Sequence, residues 1–426
     1  MSKTSQPTPL TTPITRATFD EVMVPNYAPA AFIPVRGQGS RVWDQAGREY
    51  VDFAGGIAVN SVGHANPRVV KALADQANKL WHVANVLTNE PAIAFAQALI
   101  EKTFAERVFF ANSGAEANEA ALKLARKWAS DHFPSAGAEH GETGKFEIVS
   151  CLNSFHGRTL FTVSVGGQAK YTQGFAPLPA GIHHVPYNDV AALRAAVSDK
   201  TCCVIVEPIQ GEGGVTPATR EYLQAAREVC DEHKALLIFD EVQCGAGRTG
   251  ELFAYMKYGV TPDILSSAKG IGGGFPLGVM LTTTAIATSF AVGAHGSTYG
   301  GNPLACAVGL AVLEIISAPN TLQNVSQRHR QIVGGLNELK RKYQVFKEMR
   351  GDGLLIGAEL AEKWKGRGKE FVKMAEKHGL MLLIAGPDVI RIAPSLLITQ
   401  DDVEQGLKRF DATVAELLAA ETSAAA

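Results

Sequence analysis

The residues able to do chemistry cluster at the ends of short apolar runs. Ile264-Leu265-Ser266-Ser267-Ala268 leads into Lys269, and Gly270-Ile271-Gly272-Gly273-Gly274 follows. The run reads as a buried strand end, and the glycines let backbone approach something flat or charged. A lysine at the mouth of a core strand must shed its charge or escape to water. Condensing with an aldehyde achieves the first. Snorkelling beside a glycine turn achieves the second and is the plainer reading for a lysine taken alone. About 30 residues upstream, Ala235-Leu236-Leu237-Ile238-Phe239 runs into Asp240-Glu241-Val242-Gln243. A carboxylate there needs a cationic or proton-donating partner. A protonated ring nitrogen of a cofactor would serve, and so would an arginine.

Other stretches add polar groups of particular kinds. Asn112-Ser113-Gly114-Ala115-Glu116 opens a helix expected over 117–129. Ser113 with Glu116 fits a capping box, while Gly114 and Ala115 at the positive helix end suit a phosphate. Ser154-Phe155-His156-Gly157-Arg158-Thr159 sets a ring for stacking beside a guanidinium for a carboxylate, with His156 read as structural. Glu207-Pro208-Ile209-Gln210-Gly211-Glu212 carries two carboxylates that need partners, with Arg391 as the candidate. Ser297-Thr298-Tyr299-Gly300-Gly301-Asn302-Pro303 offers hydroxyls in a glycine loop, or a plain turn. Gly245-Ala246-Gly247-Arg248-Thr249-Gly250 matches a dinucleotide fingerprint, but the acids before it would repel a pyrophosphate, so it reads as a tight loop.

The elements that must position these groups alternate. Strands are expected over 107–110, 147–150, 202–206 and 235–239, with a helix over 218–233, which makes a mostly parallel sheet covered by helices. An N-terminal hairpin (41–44 with 49–53) and segments 354–360, 380–384 and 389–392 imply a smaller α+β part. The expected division is 1–62 as tail and part of the small domain, 63–318 as the large domain, and 319–426 as the C-terminal small domain. The 426 residues are 46% hydrophobic and 19% charged with net charge −2, ordinary for a globular chain and unlike a nucleic-acid or membrane binder. Six cysteines without a CxxC pair argue against structural zinc or a disulfide framework. Met1 to Arg16 reads as a loose tail without a secretion signal, Ser135–Gly144 as a surface insertion, and the expected location is cytoplasmic.

Taken together, Asn112–Glu116, Phe155–Arg158, Asp240–Gln243, Ser267–Gly270 and Gly300–Pro303 resemble the class III, fold type I, pyridoxal-phosphate aminotransferases. The likeness runs from about Tyr27 to the C-terminal region. Asn26–Pro29, Phe53–Asn60 and Phe155–Leu160 look most like the N-acetylornithine and succinylornithine members. Ornithine and 4-aminobutyrate aminotransferases are the alternatives, and an aminomutase is a more distant one.

The resemblance implies the following roles. Lys269 condenses with the cofactor aldehyde and then shuttles the proton. Asp240 pairs with the pyridinium nitrogen, Val242 and Gln243 lie beside the ring, and Phe155 stacks on it. Ser113, Gly114 and Ala115 hold the phosphate, with Thr298 reaching the phosphate of a neighbouring subunit. Tyr27, Arg158 and Ser297 meet the ω-amino donor, and Glu212 pairs with Arg391 until the oxo acid arrives. A homodimer with shared sites, small-molecule substrates and no metal complete the expectation.

Overall fold

The computed structural model describes residues 14–135 and 143–425. Most of the N-terminal tail and the middle of the Ser135–Gly144 insertion lie outside the described residues. Seven strands form the large sheet in the order Arg107–Ala111, Gly278–Thr282, Ile264–Ser267, Leu236–Asp240, Thr201–Val206, Glu147–Cys151, Ile182–Val185. The last five run parallel to one another, and Gly278–Thr282 is antiparallel to both neighbours.

Alternation along the central strands explains how the sheet is covered. Cys203, Ile205, Leu236 and Ile238 pack with Leu122, Leu124 and Ala125 of the Gly114–His132 helix. Val204, Val206, Leu237 and Phe239 point the other way, into the core that holds Tyr222, Leu223, Ala226 and Val229 of the Arg220–Glu232 helix. Both faces are therefore dry, which is why these strands read as unbroken apolar runs. Burying each such Val, Leu, Ile or Phe contributes roughly 1.5–3 kcal/mol.

Chain ends and C-terminal segments make the small α+β part. Pro34–Gln38, Arg41–Asp44 and Glu49–Asp52 form an antiparallel meander to which Leu380–Met381 adds in parallel. Phe346–Asp352, Leu355–Leu360, Val389–Ile392 and Leu383–Ile384 form a second four-stranded sheet. The helices Pro319–Tyr343, Gly368–Lys377 and Gln400–Ala425 accompany it. Several strands escaped the sequence reading, Pro34–Gln38 and the buried Gly278–Thr282 among them, and for two others the reason is physical. Ile182–Val185 is an edge strand with exposed His183 and His184, and Phe346–Asp352 carries Lys347, Glu348, Arg350 and Asp352 on a partly exposed ladder. Among the described residues no single helix is long and apolar enough to cross a membrane.

Candidate active site

The expected strand over 235–239 ends one residue later, so Asp240 is its last, buried residue. Its neighbour Ile264–Ser267 ends level with it, Ser266 lying opposite Asp240. Three residues on, Lys269 takes a left-handed backbone (φ 48°) at the start of a short 3₁₀ turn. Both side chains line one cavity of about 450 Å³, the size of a small-molecule site. Lys269 is half-buried because the cavity is open. Burial nevertheless pushes its pKa below the ordinary lysine value, and Arg391 adds to this while Glu212 opposes it.

Among the described residues Asp240 pairs with no arginine, so the plainer reading of that carboxylate does not hold there. Its Oδ2 accepts from His156 Nδ1 and Asn118 Nδ2, each at 2.8 Å, and its Oδ1 accepts the Val242 N–H at 3.0 Å. The Asn118 amide also donates to the His156 carbonyl and accepts from Ser266 Oγ, which fixes its orientation. His156 Nε2 meets Ser150 Oγ at 3.2 Å, so both ring nitrogens of His156 are engaged. Three donors converge on a buried carboxylate and hold it aimed.

On the same cavity, Ser113 caps the Gly114–His132 helix, its Oγ accepting the Glu116 N–H at 3.2 Å. Glu116 reaches back to the Asn112 N–H at 2.6 Å, one residue further than a regular capping box. The helix thus opens with Gly114 and Ala115 facing the cavity, where unpaired N–H groups favour an anion. The packing beside them is tight: a Cβ on Gly114 would lie 2.8 Å from Val242 Cγ1, and one on Gly157 would lie 2.8 Å from Ala115 Cβ. Phe155 and Arg158 complete this wall, the guanidinium stacked 3.8 Å from the Tyr171 ring centroid and without a carboxylate partner among the described residues.

Arg391 and Glu212 do not line the cavity but meet Gln243, which does: Arg391 Nη1 donates to Glu212 and, at 3.0 Å, to Gln243 Oε1. Burial acts to raise Glu212, but Arg391 overrides it and holds the carboxyl below its ordinary value. Arg391 Nε is buried with no partner among the described residues, a donor available to a second carboxylate. Glu207 departs from the expectation that Arg391 might serve both acids. It accepts the Phe155 and Gly211 N–H groups at 2.9 and 3.1 Å, and burial pushes it up to about 7.

The class III aminotransferase family model matches residues 22–414. The chain is 63% identical over 404 residues to acetylornithine aminotransferase 1 of Pseudomonas syringae pv. tomato, covering 95% of this chain and 98% of that protein. It is 60% identical over 405 residues, with the same coverage, to the succinylornithine transaminase/acetylornithine aminotransferase of Pseudomonas aeruginosa. Among solved structures it is similar to N-acetylornithine aminotransferase from Stenotrophomonas maltophilia K279a, with TM-score 0.82 and 40% identity over 95% of this chain and 99% of that one. This chain belongs to the class III aminotransferases.

Aminotransferases of this family depend on pyridoxal 5′-phosphate, and the residues here fit that group. An amine of lowered pKa, a buried carboxylate with no arginine partner among the described residues and a glycine-lined helix N-terminus border one cavity of suitable size. Among the described residues no group of three or more His, Cys, Asp or Glu could hold a metal ion. Not every expected site residue of this aminotransferase reaches the cavity. Tyr27 is 74% exposed and does not line it. Ser297 and Thr298 border a separate cavity of about 300 Å³ beside Asn112 and Glu116, where Ser297 Oγ accepts the Gly300 N–H at 2.9 Å. Asn302 caps the Pro303–Ile316 helix, so that end of the motif is the plain turn. Asn118 was not singled out in the sequence. Its signal was its place one turn after Gly114, on the same helix face.

Proposed function

We propose that this chain moves the ω-amino group of N2-acetyl-L-ornithine, and of N2-succinyl-L-ornithine or ornithine, to 2-oxoglutarate in a ping-pong cycle of arginine metabolism. The products are N-acetyl-L-glutamate 5-semialdehyde and L-glutamate. The observation that carries the reading is one cavity bordered by Lys269 and Asp240, with the Glu212–Arg391 pair beside Gln243 at its edge.

Bound pyridoxal phosphate supplies an electron sink for negative charge developing at the donor carbon. Asp240, held by His156, Asn118 and the Val242 N–H, would keep a proton on the ring nitrogen. Ser113, Gly114 and Ala115 would hold the phosphate, Phe155, Val242 and Gln243 would border the ring, and Lys269 would anchor the aldehyde. Its lowered pKa leaves a larger fraction neutral, so its Nζ can take the proton from the donor carbon and return it. Arg158 binds the donor's α-carboxylate, with Tyr27 and Ser297 about it. While the donor is bound, Glu212 neutralises Arg391. The oxo acid brings a second carboxylate, and Arg391 exchanges Glu212 for it.

The working unit in this reading is a cytoplasmic homodimer in which Thr298 completes the partner's phosphate site. Support comes from Thr298 and Tyr27 lying off the cavity of their own chain, and from exposed Trp81, Val86 and Leu87. The test is a panel of acetylornithine, succinylornithine, ornithine and 4-aminobutyrate with 2-oxoglutarate, reporting kcat/KM for each. Acylornithines are expected to lead by about tenfold or more. Failure of both acylornithines to yield glutamate would end this substrate assignment.

A further inference from the structure

The loop Gly245–Gly250 takes no part in the site described above, yet it carries a cation into the interior. Arg248 is 1% exposed, and burial pushes its guanidinium down to about 9. Among the described residues no carboxylate pairs with it. Its donors go to main-chain oxygens: Nη1 to Leu354 at 3.1 Å and to Pro394, and Nη2 to Ala58 at 3.4 Å. Its own carbonyl accepts the Leu354 N–H at 2.8 Å. A buried charge without a counter-ion is costly, and an apolar chain of equal volume would fill the space without that cost. What an apolar chain lacks is a planar fork that ties several segments together in fixed directions.

The tied segments have a common feature. Leu354 precedes the Leu355–Leu360 strand, and Pro394 follows Val389–Ile392. These two strands are paired, with Gly357 opposite Arg391. Ala58 belongs to the left-handed turn just before Val59, which borders the cavity. Arg248 itself lies five residues after Gln243, the acceptor of Arg391 Nη1 at 3.0 Å. One guanidinium therefore grips, from the large-sheet side, both strands that set the place of another.

We propose that Arg248 is a positioning residue for the oxo-acid half-reaction: by clamping the Leu355–Leu360 and Val389–Ile392 strands against the loop after Gln243, it sets the reach of Arg391 to Glu212 and to an incoming dicarboxylate. The inference rests on the assignment of Arg391 made under the proposed function. Donor binding draws on Arg158, which sits in the loop after the Glu147–Cys151 strand, stacks on Phe155 and Tyr171, and among the described residues shares no hydrogen bond or ion pair with the clamp.

Arg248→Lys keeps a cation but replaces the fork with a single ammonium, and Arg248→Met keeps the volume without charge. In the full chain loaded with pyridoxal phosphate, the two half-reactions are followed separately by absorbance. Binding of glutarate, an unreactive dicarboxylate, is measured by calorimetry. Both variants are expected to lose about tenfold or more in kcat/KM for 2-oxoglutarate and in glutarate affinity, with the acetylornithine half-reaction within about threefold of the parent. Arg391→Lys should show the same split. Arg248→Lys/Arg391→Lys should then lose little beyond Arg391→Lys, because the effect runs through that side chain. Equal losses in both half-reactions, unchanged glutarate binding, or losses that multiply in the double variant would overturn the proposal. If Arg248→Met does not fold, Arg248→Lys decides alone. If Arg391→Lys leaves the 2-oxoglutarate half-reaction untouched, the Arg391 assignment itself fails, and the clamp proposal falls with it.

Discussion

Replacing Glu212 by glutamine would make Arg391 permanently available, and the structure sets the size of the effect. The Arg391 side chain is 3% exposed and that of Glu212 is 21% exposed. Removing one partner of a fully buried pair costs about 3–5 kcal/mol, because a charge is left uncompensated. Partial exposure of Glu212 screens some of this, and Gln243 Oε1 remains at 3.0 Å, so about 2 kcal/mol is the working figure. In the parent protein a dicarboxylate must displace Glu212 and forfeits that amount. In Glu212→Gln it does not. At about 1.4 kcal/mol per decade, affinity for 2-oxoglutarate or glutarate should rise about 30-fold. The donor half-reaction should slow, since a bare guanidinium now faces a donor with no carboxylate to offer it. Calorimetry with glutarate and single-turnover absorbance for each half-reaction would measure both effects. Unchanged or weaker dicarboxylate binding would refute the reasoning.

Lys269→Ala should lower turnover by at least about 10³-fold, the scale of a lost general base, and abolish the borohydride-fixed cofactor adduct seen by mass spectrometry. Gly157→Ala places a methyl 2.5 Å from Thr162 Oγ1 and 2.8 Å from Ala115 Cβ at φ 143°. It should weaken retention of pyridoxal phosphate about tenfold and lower Tm, as overpacking beside the helix start demands. Glu241 accepts the Ala254 and Tyr255 N–H groups at 2.5 and 2.8 Å, and burial pushes it up to about 8. A raised carboxyl pKa means the folded state holds a proton that the unfolded chain has lost, so its contribution is full below about pH 4.3 and declines until about pH 8. The difference in urea-unfolding free energy between parent and Glu241→Gln should therefore vary by up to ~1.4 kcal/mol per pH unit across that window. A difference that does not vary with pH would sink the assignment.

What was legible in the sequence follows from where each side chain lies. The strands that lead to Asp240 and Lys269 are buried on both faces, so they read as short apolar runs ending in a charge, and the two charged side chains border one cavity. Ser113 was legible because a capping residue has a local signature. Edge strands were not: His183 and His184 face outward, and nothing in their spacing separates them from a loop. The left-handed backbone of Lys269 was also hidden, because such a conformation in a non-glycine residue is imposed by its surroundings. Asn118 and Ser266 were missed for the same reason. They touch Asp240 or each other across separations of 122 and 148 residues, and no short window contains both partners.

The parallel pairing of Val51 with Leu380 has a consequence for how the protein is made. A ribosome adds about 5–20 residues per second, so the early hairpin waits on the order of 30 s for the strand that completes its sheet. During that interval it presents an open edge, a ready template for pairing with another nascent chain. Yield in a cell should therefore depend on chaperone supply and growth temperature more steeply than the equilibrium stability of the finished molecule would imply.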